Sequence, residues 1–154
     1  VRDSFMRRAI ELSVANVRGG GGPFGAVVVK DGRIVAEGVN RVTAACDPTA
    51  HAEIVAIREA ARVLGRFHLE GCEIYSSCEP CPMCLGAIYW ARLDRVFFSG
   101  TRADAARAGF SDADIYEELA APFAERRIPM TRLLGGEAGR PFAEWQRKED
   151  RIDY

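Results

Sequence analysis

The sequence predicts an α/β fold built in layers, and three observations carry that expectation. A two-residue Asp31-Gly32 step separates apolar runs at 25–30 and 33–40, the pattern of a β-hairpin with a type I′ turn. Further along, strand-like runs at 72–77 and 95–99 flank a helical stretch, which calls for a crossover and parallel pairing. That stretch, Pro80 to Ala91, contains no charged residue in a chain that is 28% charged. As a helix it is apolar on every side, so it is expected inside the layers rather than on their surface.

Residues 4–17 read as an amphipathic helix with Ser4 as its N-cap. Phe5, Met6, Ala9, Ile10, Leu12 and Val17 share its broad apolar face, opposite Arg7, Arg8 and Glu11. Gly19 to Gly22 end it. Four consecutive glycines suit a phosphate loop, but no Gly-Lys-Ser/Thr follows and the run leads into a strand. They read as a flexible connection that brings Pro23-Phe24 close to something. After the hairpin, a loop from Asn40 to Thr49 leads through Asp47-Pro48-Thr49 into a helix over Ala52–Leu64, which Gly65 closes. Pro82 fits only the first turn of the uncharged helix, where no intrahelical N–H bond is lost. The strand at Arg95–Ser99 is apolar at Val96, Phe97 and Phe98. Residues 102–121 are helical in part, with a helix start near Asp112-Ala113-Asp114, and Ile128–Leu134 reads as a fifth strand. Gly135-Gly136 and Gly139 mark a break, and Pro141 opens a short last helix carrying Phe142 and Trp145 on one side.

At 154 residues the chain reads as one domain, 1–154, large enough to bury a core without disulfides. Its 48% apolar content is ordinary for a globular protein. Five cysteines with no signal-peptide pattern suggest a reducing, cytoplasmic setting, and no apolar run reaches membrane-spanning length. A net charge of −1 offers no global field for a polyanion, which argues against a nucleic-acid partner.

The chemistry concentrates where two helices begin. Cys81 and Cys84 fall i and i+3 on one face at a helix start, where the dipole favours thiolates. A redox Cys-x-x-Cys pair competes with a metal site, but Pro-Met between the cysteines and an upstream His-x-Glu do not call for it. Adding Cys78 imitates the start of an iron–sulfur site, which would want a further cysteine where Ile88 stands. A structural zinc wants four protein ligands, and beyond Cys81, Cys84 and His51 few candidates remain. Three ligands leave a position open for water, which is how a catalytic zinc is built. On a helix at about 100° per residue, Glu53 falls among Ala56, Ile57, Ala60 and Leu64, opposite Arg58, Glu59 and Arg62. A first-turn glutamate often complements the helix dipole, but that role does not aim it into an apolar face beside a metal ligand. A buried carboxylate beside a metal site suits general acid–base catalysis.

His51-Ala52-Glu53 and Pro80-Cys81-Pro82-Met83-Cys84 together resemble the signature of the zinc nucleobase deaminases, His-x-Glu followed by Pro-Cys-x-x-Cys. Over nearly its whole length the chain resembles the bacterial guanine deaminases of the cytidine-deaminase-like superfamily. The residues that carry this are Gly21 to Val27, Asp47 to Glu53, Ser77 to Arg92, Ala108-Gly109-Phe110-Ser111-Asp112 and Tyr154. The resemblance implies a three-layer α/β/α sandwich around a mixed five-stranded sheet, one zinc per chain, a nucleobase substrate, and a homodimer whose segment 135–154 crosses to the neighbouring subunit. It implies hydrolysis of guanine to xanthine and ammonia, with Glu53 moving protons between water, ring nitrogen and leaving amine.

Four further residues are candidate substrate contacts, each with a plainer alternative. Asp112 suits the N1–H and amine donors of guanine, or is a helix N-cap. Asn40 pairs with a ring edge, or shapes a turn. Phe24 stacks on the purine, or is a core aromatic. Tyr154 acts as a lid, or frays with the terminus. Cys46, Cys72, Cys78 and His68 are assigned to packing or surface. The alternatives to a guanine deaminase are a tRNA adenosine deaminase, a deaminase of cytosine or an aminotriazine, and a zinc-stabilised binding module. The charge balance and a tail without a basic helix count against tRNA, and Glu53 with the missing fourth ligand counts against a binding module. Elemental analysis is expected to find about one zinc per chain in a colourless protein. Iron, or visible charge-transfer absorption, would contradict this.

Overall fold

The computed structural model describes residues 1–154. The chain forms two compact units, Val1–Asp112 and Ala113–Tyr154. The first contains helix α1 (Arg2–Arg18), strands β1 (Gly25–Lys30) and β2 (Arg33–Val39), the single turn α2 (Val42–Ala45) and helix α3 (Ala52–Leu64). It continues with β3 (Cys72–Cys78), α4 (Pro82–Trp90), β4 (Arg95–Gly100) and α5 (Arg102–Arg107). The four strands form one mixed sheet in the order β2-β1-β3-β4. β1 is antiparallel to both β2 and β3, whereas β3 and β4 run parallel across α4, as the strand–helix alternation requires.

The hairpin turn is the expected one. Lys30 pairs with Arg33, and Asp31 (φ 49°) and Gly32 (φ 72°) both occupy the left-handed region that a type I′ turn demands. β1 is buried over Gly25–Val29 because helices cover both of its faces. Ala26 and Val28 pack with Ala52, Ala56 and Ala60 of α3 and Ile88 of α4. Val27 and Val29 pack on the other side with Tyr75 and with Phe5, Met6 and Leu12 of α1. Helix, sheet and helix pair thus form three layers. A bidentate ion pair, Arg8 Nε and Nη2 to Glu37 at 2.7 and 2.9 Å, ties α1 to β2 and holds the Glu37 carboxyl below its usual range.

Two glycines let the helices sit this close. A Cβ on Gly25 would meet Ala9 O at 2.4 Å, and one on Gly38 would meet Ala52 O at 2.3 Å and Ala56 N at 2.5 Å. The α3 contact matters for function, because α3 begins at the metal-ligand candidate His51.

Several expectations need correction. Ser4 does not cap α1: the helix begins two residues earlier, and the Ser4 hydroxyl donates back to Val1 O at 2.6 Å. Ile10 and Val17 lie on the exposed side of α1. α4 is not enclosed, since only Cys84 and Ile88 are buried while Tyr89 and Trp90 are 76% and 69% exposed. Its uniform apolarity marks an outer-layer helix with one face on the core and the other largely exposed. The fifth strand is absent. Residues 128–134 join no sheet: Pro129 supplies no N–H and Leu134 sits at φ 50°, and neither fits a ladder.

The second unit contains α6 (Ala113–Ala120), single 3₁₀ turns at Phe123–Glu125 and Gly135–Glu137, and α7 (Arg140–Arg147) with Pro141 in its first turn. Arg126 bonds Ala121 O and stacks over Phe123, and Arg127 N donates to Glu118 Oε2 at 2.9 Å. No residue from 113 to 154 is buried. No helix of the chain is long and apolar enough to cross a membrane.

Because a methyl at position 38 would have to displace backbone of α3, Gly38→Ala is expected to cost ~1–3 kcal/mol in urea unfolding. It should also weaken zinc retention by shifting His51, and an unchanged midpoint and metal content would refute the close-approach account.

Candidate active site

Two helix N-termini meet at the site. His51 is the N-cap of α3 and Cys81 the N-cap of α4, both extended (φ −68° and −67°), and neither side chain caps its own helix. Both side chains therefore remain available as ligands. His51 is delivered by an Asx turn in which Asp47 Oδ1 accepts from Thr49 N and Oγ1 at 2.9 and 2.7 Å. The backbone then continues through His51 N to Thr49 O at 2.8 Å. The Cys81 loop is anchored by Glu79, whose N–H donates to Gly100 O at 2.8 Å and whose Oε2 accepts from Arg102 N at 3.1 Å.

Cys81 Sγ and Cys84 Sγ each lie 3.5 Å from His51 Nδ1, and the three ligand atoms all fall within 4.8 Å of one another. A tetrahedral zinc with Zn–S bonds of ~2.3 Å and a Zn–N bond of ~2.0–2.1 Å has S–N edges of ~3.5 Å, so the cluster fits that ion. The donor set of one imidazole and two thiols supplies three ligands and leaves the fourth position open. Cys78 is not part of it. Its Sγ approaches Thr101 O at 3.7 Å, and burial, then the charge of Glu53, push its thiol up to about 11.

The two ligand thiols differ sharply when no cation is bound. A hydrogen bond from Cys84, with a further contribution from His51, holds Cys81 down to about 4, whereas that same hydrogen bond and then burial push Cys84 up. His51 is raised, first by its hydrogen bond to Cys81. Protons are thus shared within the cluster and must leave when a metal binds.

Glu53 is 6% exposed on the apolar side of α3, as its helical position implied. Ser76 Oγ donates to Glu53 Oε1 at 2.9 Å, and Cys84 Sγ lies 3.4 Å from Oε2. Burial is the main cause of a carboxyl raised above its ordinary value, opposed by its own backbone N–H and by Ser76. A carboxyl group held in this way beside a cation site is placed to take and return a proton.

The remaining candidates are placed as follows. Asn40 shapes a turn: its Oδ1 accepts from Val42 N at 3.2 Å, and its main-chain carbonyl accepts from Asn16 Nδ2 at 2.9 Å. Phe24 packs against the main core cluster and meets Phe110 edge-on at 5.1 Å. The Asp112 carboxylate is mostly shielded and faces Arg102 Nε at 3.4 Å. In the second unit, Tyr154 is exposed and edge-on to Trp145 at 6.5 Å. Cys46 is exposed, Cys72 is buried, and His68 packs edge-on against Phe67.

Sequence reasoning missed Ser76, Asn16 and Arg102. Ser76 was detectable by alternation, since it shares a parity with the core residues Cys72 and Ile74 and is polar. Asn16, which clamps Gly22 O at 2.7 Å as well as Asn40 O, left no signal on a helix read for its apolar face.

A buried carboxylate against a three-donor nitrogen–sulfur cluster is an arrangement suited to metal-assisted hydrolysis. The chain belongs to the cytidine and deoxycytidylate deaminase family, whose zinc-binding region matches residues 1–100. It is 52% identical to the guanine deaminase of Bacillus subtilis (strain 168), over 99% of this chain and 98% of that one. The X-ray structure of guanine deaminase from Bacillus subtilis superposes with a TM-score of 0.98 at 51% identity, covering 100% of this chain and 99% of the other. A tRNA-specific adenosine deaminase of Aquifex aeolicus is 42% identical over 64% of this chain and 65% of that one.

With the metal stripped, Cys81 is expected to be alkylated at pH values between about 4 and 9.0, where an unperturbed thiol is protonated. Its folded value lies below its ordinary one, so reactivity should persist as pH falls and vanish only below the folded value. Peptide mass mapping after iodoacetamide treatment reads this directly. Modification of Cys84 before Cys81 would reverse the assignment.

Proposed function

We propose that this protein deaminates guanine hydrolytically, converting guanine and water to xanthine and ammonia. The observation that carries this over tRNA editing is the likeness to a guanine deaminase along the whole chain, where the likeness to a tRNA adenosine deaminase covers about two thirds. His51, Cys81 and Cys84 would hold the zinc. When bound, that ion supplies a Lewis acid that brings the ionisation of water toward neutrality.

The chain's own residues do the rest. Glu53 takes one proton from the attacking water and gives it to the ring nitrogen N3 beside C2. It then takes the second proton from the new C2 hydroxyl and gives it to the amine, which leaves as ammonia as the C2 carbonyl forms. Its burial keeps it dry, which strengthens each of these contacts. Asp112 reads the N1–H and 2-amino donors, with Arg102 partly neutralising it so that it is not an isolated charge when no base is bound. Asn40, whose Oδ1 is already engaged by Val42 N, presents its amide N–H to an acceptor on the base. Phe24 borders the purine face, and Tyr154, carried on the crossing segment, closes over the base held by the neighbouring subunit.

In this reading residues 1–154 act as one deaminase domain in a cytoplasmic homodimer, and segment 135–154 crosses to a neighbouring subunit. Two features support an assembly: the exposed Tyr89 on the outer side of α4, and a second unit in which nothing is buried.

The deciding experiment measures kcat/KM by ammonia release for guanine, adenine, cytosine and a short tRNA stem-loop. Wild type is expected to prefer guanine. Glu53→Gln should keep zinc and lose at least ~10²-fold in turnover. Asp112→Asn replaces one acceptor oxygen with a donor that faces guanine's own N–H donors, so a large loss with guanine and little gain with adenine are expected. Preference for the stem-loop would move the protein to tRNA editing, and a guanine preference that survives Asp112→Asn would take recognition away from Asp112.

A further inference from the structure

Along β3 the side chains alternate. Tyr75 faces α1, whereas Cys72, Ile74 and Ser76 face α3, and Cys72 and Ile74 are core. Ser76 is 2% exposed, and its register neighbours, Ala26 on β1 and Phe98 on β4, give no reason for a hydroxyl there. Its Oγ donates to Glu53 Oε1 at 2.9 Å. The other oxygen, Oε2, lies 3.4 Å from the sulfur of Cys84, inside the ligand cluster.

The two carboxylate oxygens are therefore not equivalent. The last torsion of a glutamate is broad, so an unheld carboxylate can present either oxygen, or neither, to a reacting group. A serine hydroxyl has one proton to donate, and here it goes to Oε1. We propose that Ser76 is a positioning residue for the deamination: by holding Oε1 against the sheet it leaves Oε2 as the oxygen that carries the proton. Ser76 acts through Glu53, the carboxylate its hydroxyl is bonded to. The proposal rests on the reading of Glu53 as the proton carrier.

A residue of this kind changes the rate of the chemical step rather than binding. Ser76→Ala removes the hydroxyl and adds no volume, so the fold should tolerate it. The expected result is a ~10- to 100-fold fall in kcat, the usual effect of losing a partner behind a reacting group, with KM within about twofold and zinc content unchanged. Ser76→Thr, which restores a hydroxyl, should recover most of the rate. On the Glu53→Gln background Ser76→Ala should have no further effect, because both changes act on the same proton transfer. A crystal structure of Ser76→Ala should show the Glu53 carboxylate rotated away from the ligand cluster.

Wild-type kcat in Ser76→Ala overturns the proposal. So does a loss confined to KM, a loss of zinc, or an equal fall on the Glu53→Gln background, any of which would make Ser76 a packing residue. If Glu53→Gln itself retains full rate, the proton-carrier reading fails and the proposal falls with it. If wild type ignores guanine but turns over another nucleobase, only the substrate assignment fails, and the same comparison on that base decides the role of Ser76.

Discussion

Two helices must begin at the same point in space, and most of the first unit is arranged to let them. His51 and Cys81 are N-caps, so the ligand geometry depends on where α3 and α4 start rather than on flexible side chains. Both helices lie on one face of the sheet, and α3 reaches its place only because Ala52, Ala56 and Ala60 are small and Gly38 has no side chain to obstruct it. Each N-terminus contributes a partial positive charge, which favours thiolates but would repel a bare cation. The two cysteines supply the negative charge that makes the meeting point attractive to a metal.

That same convergence gives Glu53 its character. A carboxylate two residues into α3 must project from the apolar side of the helix into the space between α3, β3 and the start of α4. Its partners there are a serine hydroxyl and a ligand sulfur, and burial outweighs both in setting its acidity. The chemistry of the site is thus a consequence of helix phase. Moving Glu53 by one position along α3 would turn it by about 100° away from Ser76 and Cys84, into the places that Ala52 and Ile54 fill in the core.

Residues proposed to meet the base sit differently. Asn40 follows β2 and Asp112 ends the first unit after α5, so both lie on connections, and each already has a protein partner, Val42 N and Arg102 respectively. A rigid metal site carried by helix starts, ringed by connections that tune recognition, is how one fold can support several related deaminations.

Local signals determined a good deal from the sequence alone. The Asp-Gly turn required left-handed dihedrals and produced them, Gly65 ended α3 in the left-handed conformation, and Pro82 stood in the first turn of α4. The Glu53 assignment to a buried face also followed from periodicity, because helix phase is a local property. What only the tertiary structure decided depends on what lies across the gap. The missing fifth strand reflects this: apolar residues at 128–134 cannot become a strand without a ladder partner, and Pro129 and Leu134 oppose one. α4 shows the same limit, since composition records that a helix is apolar all round but not which side its own chain will cover. Ser76 and Asn16 act through residues distant in sequence, 23 and 24 positions away, so their roles emerged only when folding brought donor and acceptor together.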